Sequence, residues 1–352
     1  MGTVGFIGGK FLPLHLGHVH AITQAACFCD ELYVILSHSQ IRDRKLCQAA
    51  GIQEMPYEVR LRWLSGLVKD MENVRVLAVE DTADSDEHYD WAAGAADIRR
   101  VIGKPIDFLF SSEIAYEPIF NKLYPEAKHI IIDAFRKQVP ISATRIREDG
   151  VFAHWEYIPA IVRPTFVKKV VVVGTESCGK STLTRYLAKM YNTVFVEEYG
   201  RTVCEEVGGC ETILTEEYYP YIAYGHKMKE YEAIQQANKV LFIDTEAIVT
   251  QFYSELYTGR TFPVLDQVAR EQQYDLWLYL EPDVPWVDDG LRVHGENRIR
   301  QENDEKLRKM LDDRGIPYVT IAGSYQDRLR QAMMHVDALL RKTSQSPQIQ
   351  LD

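Results

Sequence analysis

Val170-Val-Val-Val173-Gly174-Thr-Glu-Ser-Cys-Gly179-Lys180-Ser181-Thr182 runs from branched apolar residues into a glycine-framed polar loop and then into a helical pattern. The loop fits G-x-x-x-x-G-K-[ST] in the strand-to-helix setting that the pattern requires. Glycines let backbone N–H groups close on phosphate, Lys180 reaches the β and γ oxygens, and the Ser181 hydroxyl holds Mg²⁺. Glu176, Ser177, Cys178 and Thr182 share this loop and helix start with Gly174 and Gly179, and all are candidate ATP contacts. Cys178 occupies a free position of the motif and reads as a bystander rather than a nucleophile.

Working outward, strands are expected at 168–173, 193–197, 239–244, 275–280 and 318–321, with a helix over 180–190. Leu241-Phe-Ile-Asp244-Thr245 is an apolar strand ending in a carboxylate, which would place Asp244 beside the Mg²⁺ held by Ser181. Glu197-Glu198-Tyr199-Gly200-Arg201 ends a neighbouring strand. A small-substrate kinase needs a base there, so Glu198 is the candidate, with Tyr199 and Arg201 as substrate contacts. Trp286-Val-Asp-Asp-Gly-Leu-Arg292, followed by Arg298 and Arg300, reads as a lid whose Arg292 and Arg300 guanidiniums close over phosphate.

Upstream, strands expected at 3–8, 31–37, 74–79, 108–111 and 129–133 alternate with helical patterns at 57–69 and 89–102, the βαβ rhythm of a parallel sheet. Gly9-Lys10-Phe11-Leu-Pro-Leu-His15-Leu-Gly17-His18 follows the first strand and opens a helix. His15 and His18 would face one way beside free backbone N–H groups and the positive dipole end, with Gly9, Lys10 and Phe11 in the same turn. Ser142, Thr144 and Arg147 open a helix after the last strand and form a second anion site. In a doubly wound sheet the two sites meet at one crevice. They suit a triphosphate attacked at its α-phosphorus, with His15, His18, Lys10 and Arg147 stabilising charge and no covalent intermediate.

The chain has 352 residues, 40 basic and 51 acidic, a net charge of -11, with 46% hydrophobic residues. Two α/β domains are expected, a Rossmann-like one over 1–165 and a P-loop kinase domain over 166–342, both with mainly parallel sheets. Residues 343–352 read as a disordered tail. The acidic balance argues against nucleic acid as partner, and no apolar run reaches the roughly 18 residues of a membrane span. The N-terminus has no room for a signal peptide. Six cysteines without a paired spacing read as reduced thiols of a cytoplasmic protein.

H-x-G-H after Gly9-Lys10-Phe11, with Ile141-Ser-Ala-Thr-Arg-Ile-Arg147, resembles the nucleotidyltransferase α/β-phosphodiesterase superfamily. With the second-half motifs added, residues 3 to 341 resemble the bifunctional NadR-type proteins. The resemblance implies that the second domain phosphorylates ribosylnicotinamide with ATP and Mg²⁺. The first would join the resulting nicotinamide mononucleotide to ATP, giving NAD and pyrophosphate. It further implies that Trp91 stacks on nicotinamide and that Arg42, Arg60, Ser111 and Arg136 line the nucleotide sites. Some members carry an N-terminal helix-turn-helix repressor module. Here the first strand begins at residue 3, so no repressor role is expected. One rival is an adenylyltransferase–kinase fusion acting on another phosphate and nucleoside, and another is a nucleotide sensor without turnover. Homo-oligomerisation stays open.

Overall fold

The computed structural model describes residues 2–208, 215–284 and 297–344, and the chain divides into two compact units, the first running to Val162 and the second covering Arg163–Lys342. The first unit runs β1 (Val4–Gly9), α1 (Leu16–Ala26), β2 (Glu31–His38), α2 (Gln40–Ala49), α3 (Tyr57–Leu67), β3 (Val74–Glu80), α4 (Trp91–Ile102), β4 (Phe108–Ser111), α5 (Glu117–Leu123), β5 (Lys128–Ile131) and α6 (Ala143–Asp149). Its strands pair in the order β3-β2-β1-β4-β5, all in parallel. Leu32, Val34, Ile35 and Leu36 of β2 are wholly buried, as expected of a strand covered on both faces. Crossover helices supply the cover. Asp90 caps α4 by accepting from the Ala92 and Ala93 N–H groups, and Ala95 and Ile102 pack on Val4, Phe6 and Ile35. Order reverses beside β1, so the loop leaving β1 opens at the switch point where such sheets bind ligands.

The second unit runs β6 (Lys168–Val173), α7 (Lys180–Met190), β7 (Phe195–Val196), α8 (Tyr199–Val207), α9 (Tyr218–Ile234), β8 (Val240–Asp244), α10 (Ala247–Thr258), α11 (Pro263–Glu271), β9 (Leu276–Leu280), α12 (Asn297–Asp312), β10 (Val319–Ile321) and α13 (Tyr325–Ser344). Its strands pair in the order β10-β9-β6-β8-β7, again in parallel. Val170 to Val173 and Val240 to Ile243 are completely buried, and α7 and α13 close one face through Leu183, Leu187, Ala332 and Val336.

The α/β class with parallel sheets is therefore observed in both halves. The strand expected over 193–197 shrinks to two residues, because the Thr193 hydroxyl donates to the Val240 carbonyl at 2.7 Å and accepts from the Asn238 N–H at 2.8 Å. Helix α13 extends through Ser344, and residues 345–352 of the expected tail lie outside the described residues. Cys27, Cys29, Cys47 and Cys178 are free, but Cys204 is disulfide-bonded, which corrects the all-reduced reading. Chain size tells whether staples are needed, not whether two thiols meet. Among the described residues no helix is long and apolar enough to cross a membrane.

Candidate active sites

The turn after β1 uses its histidines to hold itself together. His15 is the N-cap of α1: its Nδ1 accepts from the Gly17 N–H at 3.1 Å, and the His15 N–H in turn points at His18 Nδ1 at 3.4 Å. Backbone donors thus face both Nδ1 atoms, which leaves the proton of each neutral imidazole on Nε2. The rings stack with centroids 3.8 Å apart, and Phe11 lies edge-on to His18 at 4.9 Å. A Cβ on Gly17 would come within 2.9 Å of the His15 ring, so the residue between the histidines must be small. Burial, helped by the Arg136 and Arg147 charges, pushes His15 down to about 3. His18 is also driven well below its ordinary value, by burial and then by His15 and Arg136. The pair is a neutral double donor.

Arg147 connects this turn to α6, donating to the Leu12 carbonyl at 2.6 Å and to the Thr144 hydroxyl at 3.2 Å. Ser142 caps α6 by accepting from the Arg145 N–H at 3.1 Å. Helix α6 has only seven residues, so what this side presents is hydroxyls and a guanidinium more than a dipole. Asp133 accepts from the N–H groups of Lys137, Gln138 and Val139, folding the loop that carries Arg136, which pairs with Glu113 at 2.7 Å. Ser111 bonds His129 Nε2 at 2.8 Å. Trp91, half-buried at the first turn of α4, meets the rings of Tyr89 and Tyr116 at 5.1 and 5.0 Å. The Lys10 ammonium is taken by Asp86 at 2.5 Å.

Arg42 and Arg60 lie behind the turn. They were expected to line a nucleotide site, yet they are 3% and 1% exposed. Arg60 bonds Asp43 at 2.6 Å and the Lys10 carbonyl at 2.7 Å, and Arg42 bonds Asp43 and Asp81, each at 3.1 Å. Buried guanidiniums need such partners, and the motif-bearing turn gains an anchor behind it. Arg60 thereby ties the turn, through the Lys10 carbonyl, to Asp43 of α2.

In the second unit the P-loop leaves β6 with Gly174 at φ 145°, Ser177 at φ 57° and Gly179 at φ 88°. A Cβ on Gly174 would approach the Leu280 carbonyl to 2.8 Å, so glycine is required there. Beyond the loop opens a cavity of about 520 Å³. Glu176, Ser177, Cys178 and Gly179 line it with the first turn of α7, Lys180 to Thr182. Glu198, Tyr199 and Arg201 face it from the start of α8. Lys180 donates to the Thr175 carbonyl at 2.9 Å. Burial opposes its charge, but Cys178, Glu198, Asp244 and Glu176 outweigh burial and raise it. Asp244, Ser181 and Glu198 share an adjoining recess of about 70 Å³. Burial and the Glu198 charge lift Asp244 to about 6, against the pull of Lys180 and of bonds from Ser181 and Thr245. A buried carboxylate beside a hydroxyl and a second carboxylate is a donor set that suits a small divalent cation. Burial raises the Cys178 thiol, which fits its reading as a bystander.

Arg300, expected to act with the lid, is 6% exposed and donates to the Val284 carbonyl at 3.1 Å. Arg292 and the lid motif 286–292 lie outside the described residues. The sequence reading missed the far wall, where Tyr219 and Ile222 of α9 and Tyr253 and Tyr257 of α10 line the cavity and Tyr257 bonds Glu176 of the loop. Tyrosines scattered through two helices match no motif, and only their helical faces signal a common wall.

Residues 6–149 match the family described as Cytidylyltransferase-like, and residues 169–328 match the AAA domain family. The trifunctional NAD biosynthesis/regulator protein NadR of Escherichia coli (strain K12) is 36% identical over 324 residues, covering 91% of this chain and 78% of that protein. The protein of that name from Salmonella typhimurium strain LT2 is 35% identical over 90% of this chain and 78% of its own. A crystal structure of NadR in complex with NR matches with a TM-score of 0.79 and 26% identity, over 97% of both chains. One of NadR with NAD and AMP-PNP matches with a TM-score of 0.78 and the same identity and coverage. With relatives this similar along nearly its whole length, the chain belongs to the NadR family.

Proposed function

We propose that this chain makes NAD from ribosylnicotinamide in two ATP-dependent steps, one per unit. One observation carries the reading: each unit of a NadR-family chain holds its own phosphate-handling constellation, the neutral His15–His18 donor pair in one and Lys180 with Ser181, Asp244 and Glu198 in the other. In the second unit Glu198 accepts the proton of the ribose 5′-hydroxyl, whose oxygen attacks the γ-phosphorus of ATP, and ADP leaves. Lys180 and the P-loop N–H groups stabilise the negative oxygens, while the tyrosine wall holds the nucleoside. Mg²⁺ bound with ATP would neutralise phosphate charge, and Ser181 with Asp244 would hold it.

In the first unit a phosphate oxygen of nicotinamide mononucleotide attacks the α-phosphorus of ATP, and pyrophosphate departs. The Nε2–H donors of His15 and His18 stabilise the developing charge, Arg136 and Arg147 add positive potential, and Trp91 supplies an aromatic face for the pyridine ring. Neutral imidazoles in this role need no proton transfer, so positioning and hydrogen bonding carry the step. On this reading the substrates are small nucleosides and nucleotides of the cytoplasm, and the acidic balance of the chain argues against nucleic acid as a partner.

Incubation with Mg-ATP and ribosylnicotinamide, followed by chromatography, should yield nicotinamide mononucleotide first and NAD later. Absence of both products would sink the proposal. A panel of other phosphorylated acceptors and nucleosides separates it from a fusion enzyme of different specificity.

A further inference from the structure

Arg328 of α13 is 1% exposed, and among the described residues its guanidinium bonds reach the P-loop itself and the loops that follow β9 and β10. Nε donates to the Gly323 carbonyl at 2.8 Å, and Nη2 donates to the Glu281 carbonyl at 2.8 Å and pairs with Asp283. Nη1 donates to the Cys178 carbonyl, in the middle of the phosphate loop and 150 residues away in sequence. Asp283 also accepts from the Gly323 N–H at 2.6 Å, so the clamp closes on itself.

We propose that Arg328 is a positioning residue that fixes the peptide between Cys178 and Gly179 for binding the phosphates of ATP. In a trans peptide the C=O and the following N–H point in opposite directions. With the Cys178 oxygen held outward on Arg328, the Gly179 N–H turns inward to the cavity that both residues line. Gly179 sits at φ 88°, a conformation with little intrinsic barrier to alternatives in glycine. Without the clamp this peptide is free to flip and present a carbonyl oxygen to the phosphates, replacing an attraction by a repulsion. Lys at this position could reach only one of the acceptors, since the planar fork serves all of them at once.

The inference rests on the second unit being the ATP-dependent kinase. Purified full-length Arg328→Gln is therefore assayed for nucleoside phosphorylation beside the parent, with adenylyl transfer and the thermal transition recorded on the same sample. The expected result is a KM for ATP raised about tenfold or more, a KM for ribosylnicotinamide within twofold of the parent and unchanged adenylyl transfer, with Arg328→Lys intermediate. An ATP KM within twofold of the parent, or an equal rise in both KM values, overturns the inference. If Arg328→Gln does not fold, Asp283→Asn decides, because it loosens the clamp but keeps the arginine. An ATP KM rise of about threefold is expected, and no change overturns the inference. A parent without kinase activity would instead refute the functional reading itself.

Discussion

His15 and His18 act without charge, and that distinguishes them from the lysine of the other unit. Burial holds His15 near 3, so it gains no proton between pH 5 and 8, and burial likewise drives His18 well below its ordinary value. Nitrogen NMR of the imidazoles should show both as Nε2–H tautomers that do not titrate over that range, and a titration midpoint near 6.5 for either would contradict the donor role. His18→Ala should lower adenylyl transfer by about 10²–10³-fold, the usual loss of one transition-state donor, with phosphorylation of ribosylnicotinamide unchanged. Asp244 has the opposite character. Its folded value, about 6, lies above the ordinary 3.8, so the folded state binds the extra proton between those values. The stability that Asp244 contributes is present below about pH 4 and is lost as pH rises through 6. Asp244→Asn should therefore stabilise the ligand-free chain by about 2 kcal/mol at pH 7.5, with the gain vanishing near pH 4, while abolishing the kinase step. Urea titrations at the two pH values check this, and equal destabilisation at both would refute it.

At the scale of elements, α9 shows how the cavity is shaped by what it lacks. A Cβ on Gly225 would fall 2.0 Å from the Tyr199 ring, so this glycine makes room for the tyrosine that lines the cavity from α8. Gly225→Ala should push Tyr199 aside and raise the KM for the nucleoside about 3–10-fold, the worth of one aromatic contact, with the KM for ATP unchanged. Steady-state kinetics with each substrate varied checks it, and a matching rise for ATP would point to general damage. The sequence around α9 hides this. Tyr218-Tyr-Pro-Tyr-Ile-Ala-Tyr224 places aromatic residues on every face: Tyr219 and Ile222 are buried while Tyr221 and Tyr224 are half exposed. The central strands were readable because Val170 to Val173 and Val240 to Ile243 are covered on both faces and hence continuously apolar. The histidine turn and the P-loop were readable because their chemistry lies in consecutive residues. Arg328, Asp43 beneath Arg60, and the tyrosine wall were not, since each becomes functional only through a partner brought by the fold.

For the whole molecule, the net charge of -11 means that anionic nucleotides are drawn in locally, against the field of the chain. Each unit carries its own positive groups: the Arg136 and Arg147 charges act on the histidines in one, and Lys180 lines the cavity with the loop in the other. Separate groups imply separable activities. Lys180→Ala should lose nucleoside phosphorylation by about 10²-fold or more yet still convert supplied nicotinamide mononucleotide to NAD. His18→Ala should accumulate nicotinamide mononucleotide from ribosylnicotinamide. Neither alone should make NAD from ribosylnicotinamide at an appreciable rate, but an equimolar mixture should, because the mononucleotide made by one chain diffuses to the other. The mixture should show a lag that shortens as total protein rises, since the intermediate must first build up in solution. Chromatography of timed samples reads all three reactions. If the mixture stays silent while each variant keeps its own activity, the intermediate does not leave the chain that made it, and the two sites are not independent.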